Sequence, residues 1–161
     1  MRKLKIYLDT SVVNFISADD APEKQDATLD FLKNHINKYD VYYSDILVFE
    51  VNRTPDPLRK DFLLGTLKQF PFKYLDMRSR FEEIEELANG YLKAGLIPKS
   101  KRNDALHIAI CTIFGFDVLM SWNYKHMANI NKQIQINLFN ADKGHPKTLY
   151  LLTPYEVYHE R

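Results

Sequence analysis

The sequence predicts an α/β domain in which a mostly parallel central sheet is flanked by helices. Two observations support this prediction. Short apolar runs of strand length alternate along the chain with longer segments of helical periodicity, and strands separated by helices are typical of parallel sheets. The chain has 161 residues, of which 45% are hydrophobic, so it is long enough to bury one core and is expected to form a single domain, residues 1–161.

The predicted strands are brief apolar runs, several of them bounded by residues that favour turns. In the first, Leu4, Ile6 and Leu8 alternate with more polar neighbours, which predicts a strand with one face more covered than the other. The segment 117–122 has an apolar middle and predicts a buried strand. The full set of predicted strands is 3–8, 41–43, 72–75, 117–122 and 148–153.

The predicted helices begin at capping residues and several end at Gly or Pro. The clearest is 79–93, whose apolar stripe lies opposite four glutamates and which Gly95 and Pro98 terminate. The helix that Ser100 is expected to cap is apolar on almost every side, so it is expected to be buried. The other predicted helices follow Asp9, span 22–39, start at Ser44 or Asp45, span 58–69 and 123–136, and begin at Pro154, with a loop over 140–147.

Charge and cysteine content exclude several classes of function. The 22 Lys and Arg residues nearly balance the 21 Asp and Glu residues, so any contact with RNA would need a local basic cluster. A single cysteine, Cys111, excludes an internal disulfide and favours a reducing cytoplasm. No apolar run approaches the ~18 residues of a membrane span, and the opening residues do not resemble a signal peptide. We therefore expect a cytoplasmic protein with no membrane association.

Two common kinds of catalytic motif are absent. Gly90 and Gly95 have the spacing of a phosphate-binding loop, but Leu96 follows where a lysine is required. His107 and Cys111 lie four residues apart on one helix face, as a thiol and its base would. Their apolar surroundings favour instead a buried cysteine that acts as a small hydrophobic residue.

Three carboxylates occupy positions where a carboxylate is unusual. Asp9 follows the first strand, at the sheet edge where ligands gather in open α/β folds. Glu50 lies in an apolar helix, and Asp104 lies in the first turn of the most apolar helix. Each also has a purely structural explanation, because Asp9 and Asp104 suit helix starts and Glu50 can lie on a solvated helix edge.

The order and placement of these acids resemble the PIN domain. The resemblance covers nearly the whole chain and rests on short motifs in a fixed order. These motifs are Asp9-Thr10-Ser11, Glu50, 103–109, 119–123 and 151–156. The resemblance implies a PIN-like three-layer fold and, because PIN domains are metal-dependent ribonucleases, an endoribonuclease that hydrolyses RNA phosphodiester bonds. Many PIN domains are VapC-like toxins, so an antitoxin partner and a homodimer are implied as well.

By position, the resemblance implies that Asp9, Glu50 and Asp104 hold Mg²⁺ or Mn²⁺ and that Asn123 completes the catalytic set. The family has a fourth acid where this chain has Asn123, so the site carries one negative charge fewer. Converging carboxylates repel one another unless a divalent cation compensates their charge. Mg²⁺ suits this task because it accepts a few carboxylates and keeps places for water and phosphate oxygens.

Contacts to RNA are expected from side chains around these acids. Ser11 is expected to support the metal shell or a phosphate. The predicted basic rim consists of Lys99, Lys101, Arg102 and Lys125. A solvated loop before a helix explains the same basic cluster equally well. His107 either reaches the edge of the site or is a core histidine with satisfied hydrogen bonds.

Other function classes are weighed against the nuclease. A non-catalytic PIN-fold module that binds RNA or a protein is kept open by Asn123, whereas the three retained acids argue against it. A phospho-acceptor receiver domain needs an acidic pair after the first strand, and Asp9 has no acidic neighbour. A haloacid-dehalogenase phosphatase needs a second aspartate where this chain has Ser11.

Overall fold

The computed structural model describes residues 2–159 as a five-stranded sheet with helices on both faces. The strands are β1 (Lys5–Leu8), β2 (Asp40–Ser44), β3 (Lys73–Leu75), β4 (Val118–Met120) and β5 (Tyr150–Leu152). Their order across the sheet is β3-β2-β1-β4-β5, and every neighbouring pair is parallel. The predicted α/β architecture is confirmed. Residues 1, 160 and 161 of the expected domain lie outside the described residues.

Eight α-helices connect or follow these strands within the described part of the chain. They are α1 (Thr10–Asn14), α2 (Pro22–Asp30), α3 (Asp45–Asn52), α4 (Pro57–Gln69), α5 (Phe81–Lys93), α6 (Arg102–Ile113), α7 (Ile130–Asp142) and α8 (Pro154–His159). Asp9 caps α1 and Ser44 caps α3, because each side chain accepts a hydrogen bond from a backbone N–H in the first turn. Among residues 2–159, no helix combines the length and apolarity needed to cross a membrane.

Two apolar layers, one on each face of the sheet, form the core. On β1, Ile6 and Leu8 face one layer and Tyr7 faces the other, and all three are fully buried. The alternating pattern predicted one face more covered than the other. Both faces are covered because β1 is the central strand, with α5, α6 and α7 packed on the Tyr7 side and α1 to α4 and α8 on the opposite side.

Helix α6 is buried on nearly all sides, as its apolar sequence predicts. Cys111 is free and buried among its neighbours. Ser100 was expected to cap this helix, but it lies in a short turn, Lys99–Lys101, and no described side chain makes a capping hydrogen bond at the helix start. Asp104 remains in the first turn, where the helix dipole favours a negative charge.

The chain after β4 differs from the prediction. The sequence pattern predicts a helix over 123–136, but Asn123 instead opens a series of turns. Asn129 provides the start of α7, because its side chain accepts a hydrogen bond from the backbone N–H of Lys132 at 2.7 Å. As a result, α7 extends into the loop expected over 140–147.

Asp117 fastens the amino-terminal segment to the sheet just before β4. Its carboxylate accepts two hydrogen bonds from the Arg2 guanidinium, at 2.8 and 3.1 Å, and one from the backbone N–H of Lys5 at 2.8 Å. The ammonium of Lys147 lies 3.1 Å away. The Arg2 hydrogen bonds hold the pKa of Asp117 well below its usual range, against the opposite effect of burial. This carboxylate therefore helps to hold β1 beside β4.

We expect Asp117→Asn to lower the free energy of unfolding by about 1–2 kcal/mol at pH 7, because the N–H of Lys5 loses a charged acceptor. The pKa of Asp117 is depressed in the folded state, so this stabilisation is complete above the unfolded value of about 3.9 and is lost as the pH falls through the folded value. Urea unfolding of both proteins at a series of pH values measures the difference. A difference that does not shrink in acid contradicts this explanation.

Candidate active site

The predicted acids line one pocket at the carboxyl ends of β1 and β4. Asp9 follows β1, Glu50 lies on α3, and Asp104 lies on α6. Together with Asn123, which comes shortly after β4, they line a cavity of about 310 Å³. The rest of its lining consists of Thr10, Ser11, Asn14, Thr54 and His107. The pocket thus lies at the edge of the sheet where open α/β folds bind ligands.

Asp9 is buried, and both of its carboxylate oxygens are hydrogen-bonded. Oδ1 accepts from the backbone N–H of Ser11 at 2.8 Å and from the Ser11 hydroxyl, and Oδ2 accepts from the Ser121 hydroxyl at 2.7 Å. Burial raises the pKa of Asp9, and the charge of His107 and these hydrogen bonds offset only part of the increase. Ser11, expected at the metal shell or a phosphate, is engaged with Asp9 and accepts from the N–H of Trp122 at 2.9 Å.

Glu50 is held by two side chains that donate to the same oxygen. The Thr10 hydroxyl lies 2.6 Å and Nε2 of His107 lies 2.8 Å from Oε1 of Glu50. His107 is 1% exposed, and its Nδ1 lies 2.6 Å from the Tyr7 hydroxyl, which is 2.7 Å from the Ser44 hydroxyl. His107 is therefore both a buried histidine with two satisfied ring nitrogens and part of the pocket wall.

The carboxylate of Glu50, at one end of this buried chain of hydrogen bonds, determines which group donates in each of them. A carboxylate only accepts, so Nε2 of His107 donates to Glu50. With a neutral imidazole, Nδ1 accepts from Tyr7, and the Tyr7 oxygen accepts from Ser44. When His107 binds a proton, Nδ1 donates and the remaining direction reverses. The chain joins β2, β1, α6 and α3, so it positions Glu50 from the core of the molecule.

The same contact shifts the pKa values of both partners. Burial alone would raise the pKa of Glu50, yet the hydrogen bond and the charge of His107 bring it below its usual value. Burial alone would lower the pKa of His107, and the hydrogen bond and the charge of Glu50 raise it. Each group therefore stabilises the charged form of the other.

Burial and then the charge of Asp9 raise the pKa of Asp104 to about 6. The amide nitrogen of Asn123 donates to Oδ2 of Asp104 at 3.2 Å, while the amide oxygen of Asn123 accepts from the backbone N–H of His126 at 3.1 Å. The pocket thus receives the N–H of this amide rather than its oxygen. Asn123 offsets the charge of Asp104 at a position where an acid would repel it.

The predicted basic rim divides into two parts. The charge of Lys101, three residues before Asp104, offsets part of the rise in the pKa of Asp104. The pKa of His126 is lowered by burial and then by the charges of Lys125, Lys101 and Lys132. Lys99 is exposed in the turn before α6.

Arg102 belongs to a different contact. Its guanidinium donates to Asn89 at 2.7 Å and to Glu85 at 3.1 Å, and both partners lie on α5. Its charge is therefore already paired. None of the four predicted rim residues lines the acid pocket itself.

The donor set suits a hard divalent cation that also binds water and phosphate. Among residues 2–159, no three Asp, Glu, His or Cys side chains come together as a group that could hold a metal ion by itself. Mg²⁺ does not need such a cage, because it is usually held by one or two carboxylates together with waters and substrate phosphates. The pocket offers carboxylate oxygens as metal ligands, and burial and then the charge of Asp9 make ionisation of Asp104 less favourable. A divalent cation would offset the repulsion between Asp9 and Asp104.

Comparison with solved structures tests the predicted fold. One match is to a chain of the crystal structure of VapBC2 from Rickettsia felis bound to a DNA fragment from their promoter, with a TM-score of 0.56 over 93% of this chain and 98% of that chain. This chain has a PIN-like fold. The two sequences are 17% identical, so the match shows the fold alone. No protein-family model and no curated protein matches the sequence.

The sequence motifs missed part of the pocket. Asn14 and Thr54 line it without belonging to any motif, and Tyr7 supports it from the core. Tyr7 has a recognisable signal, because a tyrosine in a buried strand usually finds a partner for its hydroxyl. His107 follows Asp104 by three residues on one helix face, a spacing that brings side chains together.

We expect Asn123→Asp to destabilise the metal-free protein at neutral pH and to tighten Mn²⁺ binding about tenfold, or roughly 1.4 kcal/mol. The new carboxylate would replace an N–H donor beside Asp104, so repulsion replaces a hydrogen bond. The same charge increases the attraction for a divalent cation. Thermal melts without metal and calorimetric Mn²⁺ titrations measure the two effects.

Asn131→Asp is the matched control for this change. It adds the same charge a few residues away at an exposed position in the first turn of α7, where the helix dipole favours an acid. Equal effects of the two substitutions on stability and on Mn²⁺ affinity would mean that Asn123 does not act on the pocket.

Proposed function

We propose that this chain is a PIN-type endoribonuclease that hydrolyses RNA phosphodiester bonds with the help of Mg²⁺ or Mn²⁺. The observation that carries the proposal is the set of Asp9, Glu50 and Asp104 around one pocket at the carboxyl edge of a PIN-like parallel sheet. Burying charged carboxylates in this way costs folding free energy, and shifted pKa values of this kind are typical of functional sites.

Asp9, Glu50 and Asp104 would hold the ion. A bound ion supplies charge stabilisation to a scissile phosphate and lowers the pKa of a water. The protein positions these carboxylates before an ion binds, since Asp9 is held by a hydrogen bond from Ser11 and Glu50 by one from His107. Such preorganisation reduces the cost of orienting groups during the reaction.

RNA would be held beside the pocket by the lysines of the rim. The charge of Lys101 acts on Asp104, and the charges of Lys101 and Lys125 both act on His126. Lys99 precedes them in an exposed turn. Ser11 acts in this proposal by fixing Asp9 rather than by binding a phosphate directly. Arg102 contributes less, because its charge is paired on α5.

The proposal includes a toxin role with an antitoxin partner, a homodimer and a cytoplasmic location. It is supported by the resemblance of the sequence motifs and by the fold shared with a chain from a VapBC2 complex. Co-expression with the product of a small upstream reading frame that has a DNA-binding amino terminus tests the partner. Suppression of RNA cleavage in the co-purified complex is the expected result.

A second candidate function is a PIN-fold module that binds RNA or protein without cutting. The observation that favours it is the amide of Asn123, which donates to Asp104 and thereby satisfies a carboxylate without a cation. RNA binding in the presence of Mn²⁺ with no cleavage of any RNA tested would decide for this alternative.

Asp104→Asn separates catalysis from folding. Burial and then the charge of Asp9 raise the pKa of Asp104 to about 6 in the folded state, whereas its pKa in the unfolded chain is about 3.9. Ionisation of Asp104 therefore reduces the stability of the folded state as the pH rises from about 3.9 to about 6. We expect the metal-free variant to be at least as stable as the wild type at pH 7.5, while Mn²⁺ stabilisation and RNA cleavage are lost. Thermal melts with and without MnCl₂, and cleavage of a labelled RNA, measure these effects.

The wild type provides a further pH test of the same group. Its affinity for Mn²⁺ is expected to fall as the pH drops below about 6, because protons compete with the cation for Asp104.

The control for Asp104→Asn is Glu82→Gln, which removes a carboxylate on α5 instead. Equal cleavage by wild type and Asp104→Asn, insensitive to EDTA, would overturn the nuclease proposal.

A variant with Lys99, Lys101 and Lys125 changed to Ala tests the rim. We expect weaker RNA binding across sequences and a shallower salt dependence, whose slope falls by about 0.7 for each phosphate of a single-stranded RNA that the variant no longer neutralises. Arg102→Ala is the control and should change the slope little, because Arg102 is paired with Glu85. Fluorescence anisotropy at several salt concentrations measures the slopes, and an unchanged slope in the lysine variant would mean that RNA binds elsewhere.

A further inference from the structure

A second cavity, larger than the acid pocket, lies between α2, α8 and the segment that follows β4. Its volume is about 880 Å³. Its aromatic lining consists of Trp122, Tyr124, Tyr155 and Tyr158, and its charged lining consists of Glu23, Lys24, Asp26, Asp30 and Glu156. This aromatic groove, defined by these residues, has a volume within the range of about 300–1,000 Å³ that is typical of ligand sites.

The charge around the aromatic groove is strongly one-sided. Four carboxylates face a single ammonium, although the chain as a whole has a formal net charge of +1. Asp26 on α2 and Glu156 on α8 are both exposed and lie on different walls. A rim of this charge attracts cations and repels a polyanion such as RNA.

Two aromatic rings of the groove already hold one cation. The ammonium of Lys24 lies 5.2 Å from the centre of the Tyr124 ring and 5.9 Å from that of Trp122, and it also lies 5.0 Å from the centre of the Phe15 ring, outside the groove. These distances are within the ~6 Å typical of cation–π attraction. Tyr124 and Tyr155 are each about half exposed, at 50% and 52%. The His159 ring stacks on one face of Tyr155, with the ring centres 3.8 Å apart, so the aromatic surface open to a ligand is the exposed remainder.

We propose that the aromatic groove binds a basic segment of a partner protein through an arginine side chain. A guanidinium is planar, stacks on aromatic faces and pairs with carboxylates through two parallel hydrogen bonds. The groove offers both kinds of contact, with exposed Tyr155 beside Glu156 on α8 and with Asp26 on the α2 wall. The charge of the rim favours a basic protein segment over RNA.

The aromatic groove borders the acid pocket through one short segment. Trp122 lies between Ser121, which donates to Asp9, and Asn123, which donates to Asp104. A partner in the groove therefore contacts the segment that also positions the acids. Binding of that partner does not depend on the proposed nuclease activity.

The single tryptophan of the chain makes this proposal measurable, because Trp122 lines the groove and its fluorescence reports on occupancy. The probe is an acetylated and amidated tetra-arginine peptide, titrated into the metal-free full chain at 50 mM and 150 mM salt. Tetra-glutamate and a short oligouridylate are the comparison ligands. We expect a saturable fluorescence change with the arginine peptide and none with the other two.

Charge-neutralising substitutions test where the peptide binds. The groove variant combines Glu23→Gln, Asp26→Asn and Glu156→Gln. Glutamine at the last position keeps an oxygen that accepts from the backbone N–H of Thr153, a contact of 2.9 Å, so the start of α8 is preserved. We expect the affinity for the arginine peptide to fall at least tenfold.

A matched control removes the same number of exposed carboxylates elsewhere, with Glu82→Gln, Glu86→Gln and Asp142→Asn. It should bind the peptide within twofold of the wild type. Asp104→Asn should also bind normally, which separates this proposal from the nuclease proposal. Absence of peptide binding, equal loss in the groove and control variants, or a Trp122 response to oligouridylate that the groove variant abolishes would each overturn the proposal.

Discussion

Partly desolvated negative charge at the carboxyl edge of β1 and β4 is the constraint on which the rest of the site depends. Burial raises the pKa of Asp9, and burial together with the charge of Asp9 raises that of Asp104. Hydrogen bonds from the surrounding residues stabilise this charge, since Ser11 and Ser121 donate to Asp9 and Asn123 donates to Asp104. A buried polar group is tolerated only when it is paired in this way, so the donors are part of the fold as well as of the site.

The second organising feature is the buried chain of hydroxyls and imidazole that ends on Glu50. Tyr7 and His107 carry it through an otherwise apolar layer, and every member has a partner. Networks of this kind specify one arrangement of their elements, because any slip of α6 against β1 would leave polar atoms unpaired. The pocket is thus held by the packing of the core and not only by its own loops.

The sequence predicted best those residues whose place follows from topology. Asp9 and Asn123 follow neighbouring parallel strands, so their meeting at one edge could be expected from the order of elements alone. Side-chain direction could not, and Arg102 points to α5 because acceptors on that helix are within reach. The start of α7 was misplaced because Asn123 and Asn129 are equally good caps locally. In the structure each of them accepts a hydrogen bond from the backbone N–H three residues on, so this local contact does not distinguish them.

The strand order also dictates when the pocket can exist. Ile6 of β1 pairs with Val41 on one side and with Val118 on the other. The central strand therefore pairs with β4, which is synthesised more than a hundred residues later. Pairings so distant along the chain form late compared with local contacts. A chain emerging from the ribosome carries Asp9 long before α6 and β4 follow. The acid pocket is therefore absent from the growing chain and can form only once most of the chain has been synthesised.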